Sequence, residues 1–328
     1  MNIAILGATG AVGREMLKAL DEERISVDTL KLLSSRKSAG TKIAFQGEEY
    51  VVEEACENSF EGMDVVLGAS GNDVAKRFAP FIVKSSAIFI DNSSAFRMNE
   101  DVPLIVPEIN KEDIRNHHGI ISNPNCSTII ACMAVYGINR LSPIRSMIAS
   151  TYQAVSGAGN KGIEELKQQI LDLEKGNEIR HEVFPYQIAY NCIPCIGSPV
   201  EGDWTTEEMK MENEGRKIMH LPELRVSCTC VRVPVYRSHS ISISLQTEDK
   251  LDLQDVKEAI GTMDGVVLYD DLGNGIYPMP LECSDQNKVY VGRIREDRVL
   301  KNGIALWCAG DQIRKGAAVN AVQILKCL

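Results

Sequence analysis

The chain has 328 residues, with 35 Lys and Arg against 45 Asp and Glu, a formal net charge of -10, and 44% hydrophobic and 24% charged residues. At roughly 150 residues per domain this predicts about two domains with well-filled cores, and it is too apolar for disorder. The acidic balance excludes a surface built for nucleic acid or anionic membrane, either of which needs a basic face.

No apolar run approaches the ~18 residues needed to cross a bilayer, and Met1 to Gly7 is too short and uncharged for a signal peptide. The expectation is a cytoplasmic protein whose ten cysteines are free thiols. Asn2 to Leu6 is an apolar run of strand length, and helical periodicity follows from Ala11 to Leu20, with Val12, Met16, Leu17 and Leu20 on one face. Leu30 to Ser34 reads as the second strand. Asp64 to Ala69 and Ala87 to Asp91 follow, separated by a helical stretch from about Asp73 to Lys84, and Leu104 to Val106 and Gly119 to Ser122 complete the series. Apolar strands alternating with helices predict a parallel sheet covered on both faces.

Beyond about Asn139 the texture changes. Met147 to Val155 and Val226 to Thr247 are longer strand stretches, and Ser238 to Gln246 alternates polar with apolar residues, as in an antiparallel sheet. Lys161 to Lys175, Asp252 to Met263 and Lys315 to Leu328 read as helices, and no internal repeat is present.

Gly7-x-x-Gly10-x-x-Gly13 lies between the first strand and the first helix, the setting of a dinucleotide fingerprint. Glycines there let the backbone approach a pyrophosphate, which the helix N-terminus stabilises with its free N–H groups. The second strand ends in Ser34-Ser35-Arg36-Lys37-Ser38, with cations and hydroxyls where an NAD site usually carries a carboxylate. This favours NADP over NAD; the plain alternative is a solvated basic loop.

Ser122-Asn-Pro-Asn-Cys-Ser-Thr128 places Cys126 at or beside the N-terminus of an apolar helix, Ile129 to Ile138. The dipole and free N–H groups there favour a thiolate, whereas the ordinary alternative is a buried structural cysteine. Cys192-x-x-Cys195 and Cys228-x-Cys230 have metal-ligand spacing, but a proline inside the first pair and strand context at the second argue against zinc, so no metal is expected. A nicotinamide site with an activated cysteine suggests thiolate addition to an aldehyde, hydride loss to NADP and a thioester, resolved by water, phosphate or coenzyme A.

Five segments, Gly7-Ala-Thr-Gly-Ala-Val-Gly13, Asn123-Pro-Asn-Cys-Ser-Thr128, Ser150-Thr-Tyr-Gln-Ala-Val-Ser-Gly-Ala-Gly159, Cys230-Val-Arg-Val-Pro-Val235 and Lys315-Gly-Ala-Ala-x-Asn-Ala321, together resemble the bacterial aspartate-semialdehyde dehydrogenases, in order and over nearly the whole chain. The resemblance implies NADPH-dependent reductive dephosphorylation of L-aspartyl 4-phosphate to L-aspartate 4-semialdehyde with release of inorganic phosphate. That step leads toward lysine, diaminopimelate, methionine, threonine and isoleucine. It implies Cys126 as nucleophile, Gln153 as the residue that positions substrate, and His239 as acid/base. Arg232 would clamp the substrate carboxylate, Glu214 would contact the amino group, and Arg97, Lys217 and Asn125 would complete the substrate and phosphate set. For the cofactor it implies Gly7, Thr9, Gly10, Ala11, Val12, Gly13, Ser35, Arg36, Lys37, Ser38, Ser156, Gly157 and Gln312; Lys37 stands where many relatives have arginine.

An acyl phosphate joined to an amino acid needs several cations, including a forked Arg, and His titrates near neutrality without large tuning. In isolation each of these residues could be an ordinary core or surface group. The implied architecture is α/β: a Rossmann-like NADP-binding domain of residues 1–127 plus 311–328, with an inserted mixed α/β catalytic and dimerisation domain of residues 128–310. The active site would lie between them with Cys126 at the junction, in a homodimer or homotetramer. The nearest rival, N-acetyl-γ-glutamyl-phosphate reductase, typically shows Asn-Pro-Gly-Cys-Tyr, which Asn125 and Ser127 do not fit. A glyceraldehyde-phosphate dehydrogenase lacks the preceding proline, and a non-catalytic NADP-binding sensor would not need Cys126, Gln153 and His239 together.

Overall fold

The computed structural model describes residues 1–328 and divides into two compact units, Met1–Asn125 with Ala317–Leu328, and Cys126–Gly316. In the first unit the chain runs β1 (Asn2–Leu6), α1 (Ala11–Glu22), β2 (Thr29–Ser34), β3 (Lys42–Phe45), β4 (Glu48–Val51), β5 (Glu53–Glu54), β6 (Val65–Gly68), α2 (Asn72–Lys84), β7 (Ile88–Asp91), the short α3 (Pro107–Asn110) and β8 (Ile120–Ser122). Six strands form one parallel sheet in the order β5-β2-β1-β6-β7-β8. Because strand side chains alternate, Ile3 and Ile5 of β1 go to one face with Met16 and Leu20 of α1, while Ala4 and Leu6 go to the other with Phe78 and Ile82 of α2. Burial on both faces explains why these strands read as unbroken apolar runs. β1 lies between β2 and β6, so its carboxyl end is the topological switch point where α/β sheets bind ligands.

One expectation changes here, and another is refined. Leu104 to Val106 is not a strand: Leu104 makes one bridge to Ser122, and Pro107 then starts α3. The C-terminal helix is present from Lys315, but its first turn, Arg314–Ala318, is π-helical and runs straight into α9 (Val319–Lys326), which packs Val322 and Leu325 into the core that α1 covers. No helix is long and apolar enough to cross a membrane.

The second unit contains α4 (Cys126–Leu141), β9 (Ile144–Gln153), α5 (Asn160–Lys175), α6 (Thr206–Met219), β10 (Arg225–Arg232), β11 (His239–Thr247), α7 (Leu253–Gly261), β12 (Val266–Leu268), α8 (Pro280–Cys283), β13 (Val289–Glu296) and β14 (Gly303–Gly310). Its sheet, β10-β9-β11-β14-β13-β12, is mixed, with parallel pairs at both edges and antiparallel pairs between. Alternation on β9 sends Met147, Ala149, Thr151 and Gln153 inward and leaves Ile148 and Tyr152 exposed. Gln153, Arg232 and His239 all lie at the same end of neighbouring strands: Gln153 ends β9, Arg232 ends β10 in register with it, and His239 begins β11.

Candidate active site

In the first unit, Gly7 has φ +94°, and a Cβ there would stand 2.6 Å from the carbonyl oxygen of Ala69. A Cβ on Gly13 would stand 2.4 Å from the Gly7 carbonyl oxygen, so neither position tolerates a side chain. Gly10 precedes α1 without a side-chain cap, and no acidic residue sits in the first turn, so Ala11 and Val12 head a helix whose N–H groups are open to an anion. The Thr9 hydroxyl shares a 2.9 Å hydrogen bond with Ser34. A cavity of about 350 Å³ opens beside this loop, lined by Gly7, Ser35, Arg36, Glu54, Ser70 and Arg77 among others. Ser70 Oγ is buried there without a partner. A glycine cradle, an open helix terminus, an orphaned hydroxyl and two guanidinium groups fit a phosphate-rich dinucleotide.

Arg77 is a cation that sequence reasoning missed, because on an amphipathic helix it reads as an ordinary solvated charge. Glu54, a carboxylate on the short β5, was not visible as a neighbour of Ser34 until strand pairing placed it there. Lys37 and Ser38 lie on the turn that Ser35 closes by accepting from the Ser38 N–H at 2.9 Å, and Lys37 is exposed. Arg97 is buried, donating to the carbonyl oxygens of Asn123 at 3.0 Å and Asn92 at 2.8 Å. Asn125, also buried, immediately precedes Cys126.

In the second unit, Cys126 is the first residue of α4 and is partly exposed. Gly316 makes this approach possible, since a Cβ there would come within 2.9 Å of the Cys126 Cβ. Arg232 is buried, its Nη1 donates to the Ala154 carbonyl oxygen at 2.7 Å, and its guanidinium lies 5.9 Å from the Phe184 ring centre. Burial pulls this guanidinium below its ordinary value, and the charges of Cys126, Glu207 and Cys230 oppose that pull. The cation therefore lies within electrostatic reach of the nucleophile. His239 is fully buried and accepts at Nδ1 from the Ala154 N–H at 3.1 Å, while its Nε2 has no partner. Burial first, and Arg232 second, push its pKa from 6.5 down to about 3, against the pull of Glu207. The ring is thus neutral. Gln312 Nε2 donates to Ser156 Oγ, and Gln312 Oε1 accepts from the Ser238 N–H at 2.8 Å, so Ser156, Gln312 and the chain entering β11 form one buried group.

The carboxylate that the structure brings to this group is Glu207, not Glu214. Gln153 Nε2 donates to Glu207 Oε1 and to Thr151 Oγ1, each at 3.3 Å, and Lys210 Nζ pairs with Glu207 Oε2 at 2.8 Å. Glu207 and Lys210 lie in the first turn and a half of α6, which begins at a capping box in which Thr205 and Glu208 bond reciprocally. Glu214 and Lys217 repeat the same Glu-x-x-Lys spacing two turns later. Glu214 is buried close to Cys132 of α4, where its charge adds to burial in pushing that thiol up. Glu207 and Lys210 are the pair that meets Gln153, with the same spacing as Glu214 and Lys217. The capping signal Thr205-x-x-Glu208 was present in the sequence, and it would have shown which pair begins the helix.

Of the remaining cysteines, Cys228 and Cys230 are buried with their sulfurs 3.7 Å apart, and Cys192 and Cys195 are exposed. No group of three or more His, Cys, Asp or Glu side chains is placed to hold a metal ion.

Comparison with known proteins agrees with this geometry. Residues 2–117 match the semialdehyde dehydrogenase NAD binding domain, and residues 137–315 match the semialdehyde dehydrogenase dimerisation domain. The chain is 46% identical to the aspartate-semialdehyde dehydrogenase of Bacillus subtilis, covering 100% of this chain and 97% of the relative. It is 47% identical to that of Aquifex aeolicus, covering 99% and 97%. Among solved structures it is similar to Vibrio cholerae aspartate semialdehyde dehydrogenase II complexed with ASA, with a TM-score of 0.95, 39% identity, and 100% and 97% of the two chains covered. A cysteine at a helix start, beside a buried arginine and histidine and in a chain matched end to end by such relatives, leaves one conclusion: this protein belongs to the aspartate-semialdehyde dehydrogenase family.

Proposed function

We propose that the protein reduces L-aspartyl 4-phosphate to L-aspartate 4-semialdehyde with NADPH, releasing inorganic phosphate, as a step toward lysine, diaminopimelate, methionine, threonine and isoleucine. The observation that carries this reading is Cys126 at the open end of α4 within the field of the buried Arg232. The helix terminus and the guanidinium both favour a thiolate. Cys126 Sγ attacks the acyl carbon, the C–O bond to phosphate breaks, and a thioester remains; the departing phosphate takes up one proton. NADPH, when bound, would supply the hydride for the acyl carbon; breaking of the C–S bond then frees the aldehyde and restores the Cys126 thiolate.

The other residues bind and orient. Arg232 meets the substrate α-carboxylate with a planar fork. Glu207, hydrogen-bonded by Gln153, supplies the negative charge for the α-ammonium, and Lys210 supplies a cation beside it for phosphate. Arg97 keeps the phosphate role implied by the resemblance, and Asn125 that of a substrate-site residue; Arg97 is held ready by two carbonyls. Arg36, with Arg77 and the hydroxyls of Ser35 and Ser38, favours the 2′-phosphate of NADP over the bare ribose of NAD. The exposed Ile148 and Tyr152 on the open sheet face, in a segment matched by a dimerisation domain, support a homodimer, with pairing of dimers as the route to a tetramer. None of the ten cysteines forms a disulfide, which supports a reducing cytoplasm.

The test runs the reaction backwards. NADP and L-aspartate semialdehyde should yield NADPH only with phosphate present, and N-acetylglutamate semialdehyde should yield little. Activity confined to the acetylated substrate would overturn the reading.

A further inference from the structure

The chain from Arg180 to Ile193 contains no helix and no strand, yet Phe184, Ile188, Ala189 and Ile193 are all buried. Main-chain N–H groups drawn inward without a helix or a ladder need acceptors from elsewhere. Two side chains of α5 supply them. Glu165 accepts from the N–H groups of Glu182 at 2.8 Å, Val183 at 2.6 Å and Phe184 at 3.3 Å. Gln169, itself buried, accepts at Oε1 from the N–H groups of Ile188 at 2.9 Å and Ala189 at 3.0 Å. Its Nε2 donates to the Arg180 carbonyl oxygen at 3.0 Å and to Glu165 Oε1 at 3.3 Å. Positions four apart share one face of a helix, so the two side chains form a single clasp on the segment.

The clasped segment ends on Arg232. The Phe184 ring centre lies 5.9 Å from the Arg232 guanidinium. Ile193 pairs with Arg232 in both directions: the Ile193 N–H donates to the Arg232 carbonyl oxygen at 2.9 Å, and the Arg232 N–H donates to the Ile193 carbonyl oxygen at 2.8 Å. Phe184, Ile188, Ala189 and Ile193 form a small hydrophobic cluster with Leu166 of α5 and with Val155. The residue before Val155 is Ala154, whose carbonyl oxygen takes Nη1 of Arg232 at 2.7 Å. The cluster is close-packed, since a Cβ on Gly162 of α5 would stand 2.4 Å from the Val155 carbonyl oxygen and 3.1 Å from the Phe184 ring. A binding side chain is only as precise as the packing and hydrogen bonds behind it.

We propose that Glu165 and Gln169 are positioning residues for the substrate anchor: by holding the main chain of residues 180–193 they fix Phe184 and Ile193, and through these they set the place of Arg232 and the affinity for the substrate α-carboxylate. They act through Arg232 and not on the reacting atoms. The α-carboxylate is remote from the acyl carbon, so its contact with Arg232 is equally strong before and during the reaction. Loss of such uniform binding raises KM and leaves kcat in place.

This inference rests on the reading of Arg232 as the carboxylate anchor, so it is tested once with turnover and once without. Glu165→Ala and Gln169→Leu remove the acceptors, and Glu165→Gln, which keeps one of the two oxygens, is the milder change. KM for L-aspartate semialdehyde should rise about tenfold or more in the first two and less in the third, the scale of one hydrogen bond to a charged group. The values for kcat, and KM for phosphate and for NADP, should stay within about threefold of wild type. An unmoved KM for the semialdehyde would overturn the proposal. So would a common loss in kcat and in all three KM values, which is the signature of a merely structural role.

Hydrogen exchange needs no turnover and begins with the wild type, so it stands even if a variant folds poorly. The amides of Val183, Phe184, Ile188, Ala189, Ile193 and Arg232 should open as one unit, with the same sensitivity to low urea. Separate opening of Ile193 and Arg232 would overturn the proposal. In Glu165→Gln all of them should exchange about tenfold faster, while Ile243 and Leu306, paired in the middle of the sheet, keep wild-type protection. An Arg232 amide as protected as in the wild type, beside faster Val183 and Phe184, would show that the clasp ends short of the anchor. Coupled exchange together with an unmoved KM would instead remove Arg232 as the carboxylate anchor, and the proposal with it.

Discussion

Gly157→Ala tests the placement of Arg232. The added Cβ would stand 2.6 Å from Nη1 of Arg232 and 3.2 Å from Cε1 of His239. Gly157 does not have a positive φ, and the atom in the way is the far end of a flexible side chain, so the cheapest relief is retreat of the guanidinium. Reaching ordinary contact takes about 1 Å, which stretches the 2.7 Å bond to the Ala154 carbonyl beyond hydrogen-bond range. A hydrogen bond to a charged group contributes about 1.5–3 kcal/mol, so kcat/KM for aspartate semialdehyde should fall roughly 10- to 150-fold. Loss of the bond to the Ala154 carbonyl should also lower stability by about 1.5–3 kcal/mol, offset in part by the stiffer unfolded chain. The assay is the phosphate-dependent reaction, run beside a thermal melt. An activity within threefold of wild type in a folded variant would refute the placement of Arg232 as the substrate anchor.

The two Glu-x-x-Lys pairs of α6 make opposite predictions. Glu207→Gln should raise KM for the semialdehyde about tenfold or more, as expected for loss of a buried charge pair of at least 1.4 kcal/mol, while Glu214→Gln should act mainly on the melting temperature. Steady-state kinetics and melts on both variants decide between them, and the reverse pattern would restore Glu214 to the site. His239, depressed from 6.5 to about 3, stays neutral in the fold while the unfolded chain binds a proton. Its contribution is therefore complete above about pH 6.5 and is lost as pH falls toward 3, at up to about 1.4 kcal/mol per pH unit. Between pH 6.5 and 5 the wild type should lose about 2 kcal/mol more than His239→Gln in urea titrations, and equal losses would show that the ring is not held neutral. Arg36→Ala and Arg77→Ala should each weaken NADP binding by about 1.4 kcal/mol or more, tenfold in Kd, and leave NAD binding nearly unchanged. Equal losses for both dinucleotides would assign these cations to the pyrophosphate or the adenine.

The first unit was legible because its strands are buried on both faces and its glycines sit where the strand-to-helix turn demands them. What periodicity missed there was short or edge-placed. The β3–β4 hairpin turns at Gln46-Gly47, both at positive φ, yet the pair lacks the usual Asn or Asp signal. Leu104 to Val106 has strand composition, but Pro107 removes the next donor and the pairing ends at one bridge. In the second unit the half-wet sheet showed at β9 and β11, whereas β12, β13 and β14 went unread beside Gly and charged residues. Cys126 stood out through its position at a helix start, whereas Gln153, Arg232 and His239 were singled out only by the family resemblance. The α6 pair was not, since Glu207-x-x-Lys210 and Glu214-x-x-Lys217 are identical in spacing and differ only in distance from the helix start. Heptad spacing puts both glutamates on the same face of α6, so only the end of the helix that meets Gln153 distinguishes them.

The most direct measurement of the central claim is a single turnover without phosphate. Enzyme mixed with NADP and L-aspartate semialdehyde should give a burst of one NADPH per active chain, and mass spectrometry should find a β-aspartyl adduct on the Cys126 peptide that phosphate then removes. A burst without an adduct on Cys126, or steady turnover indifferent to phosphate, would contradict a thioester at this cysteine.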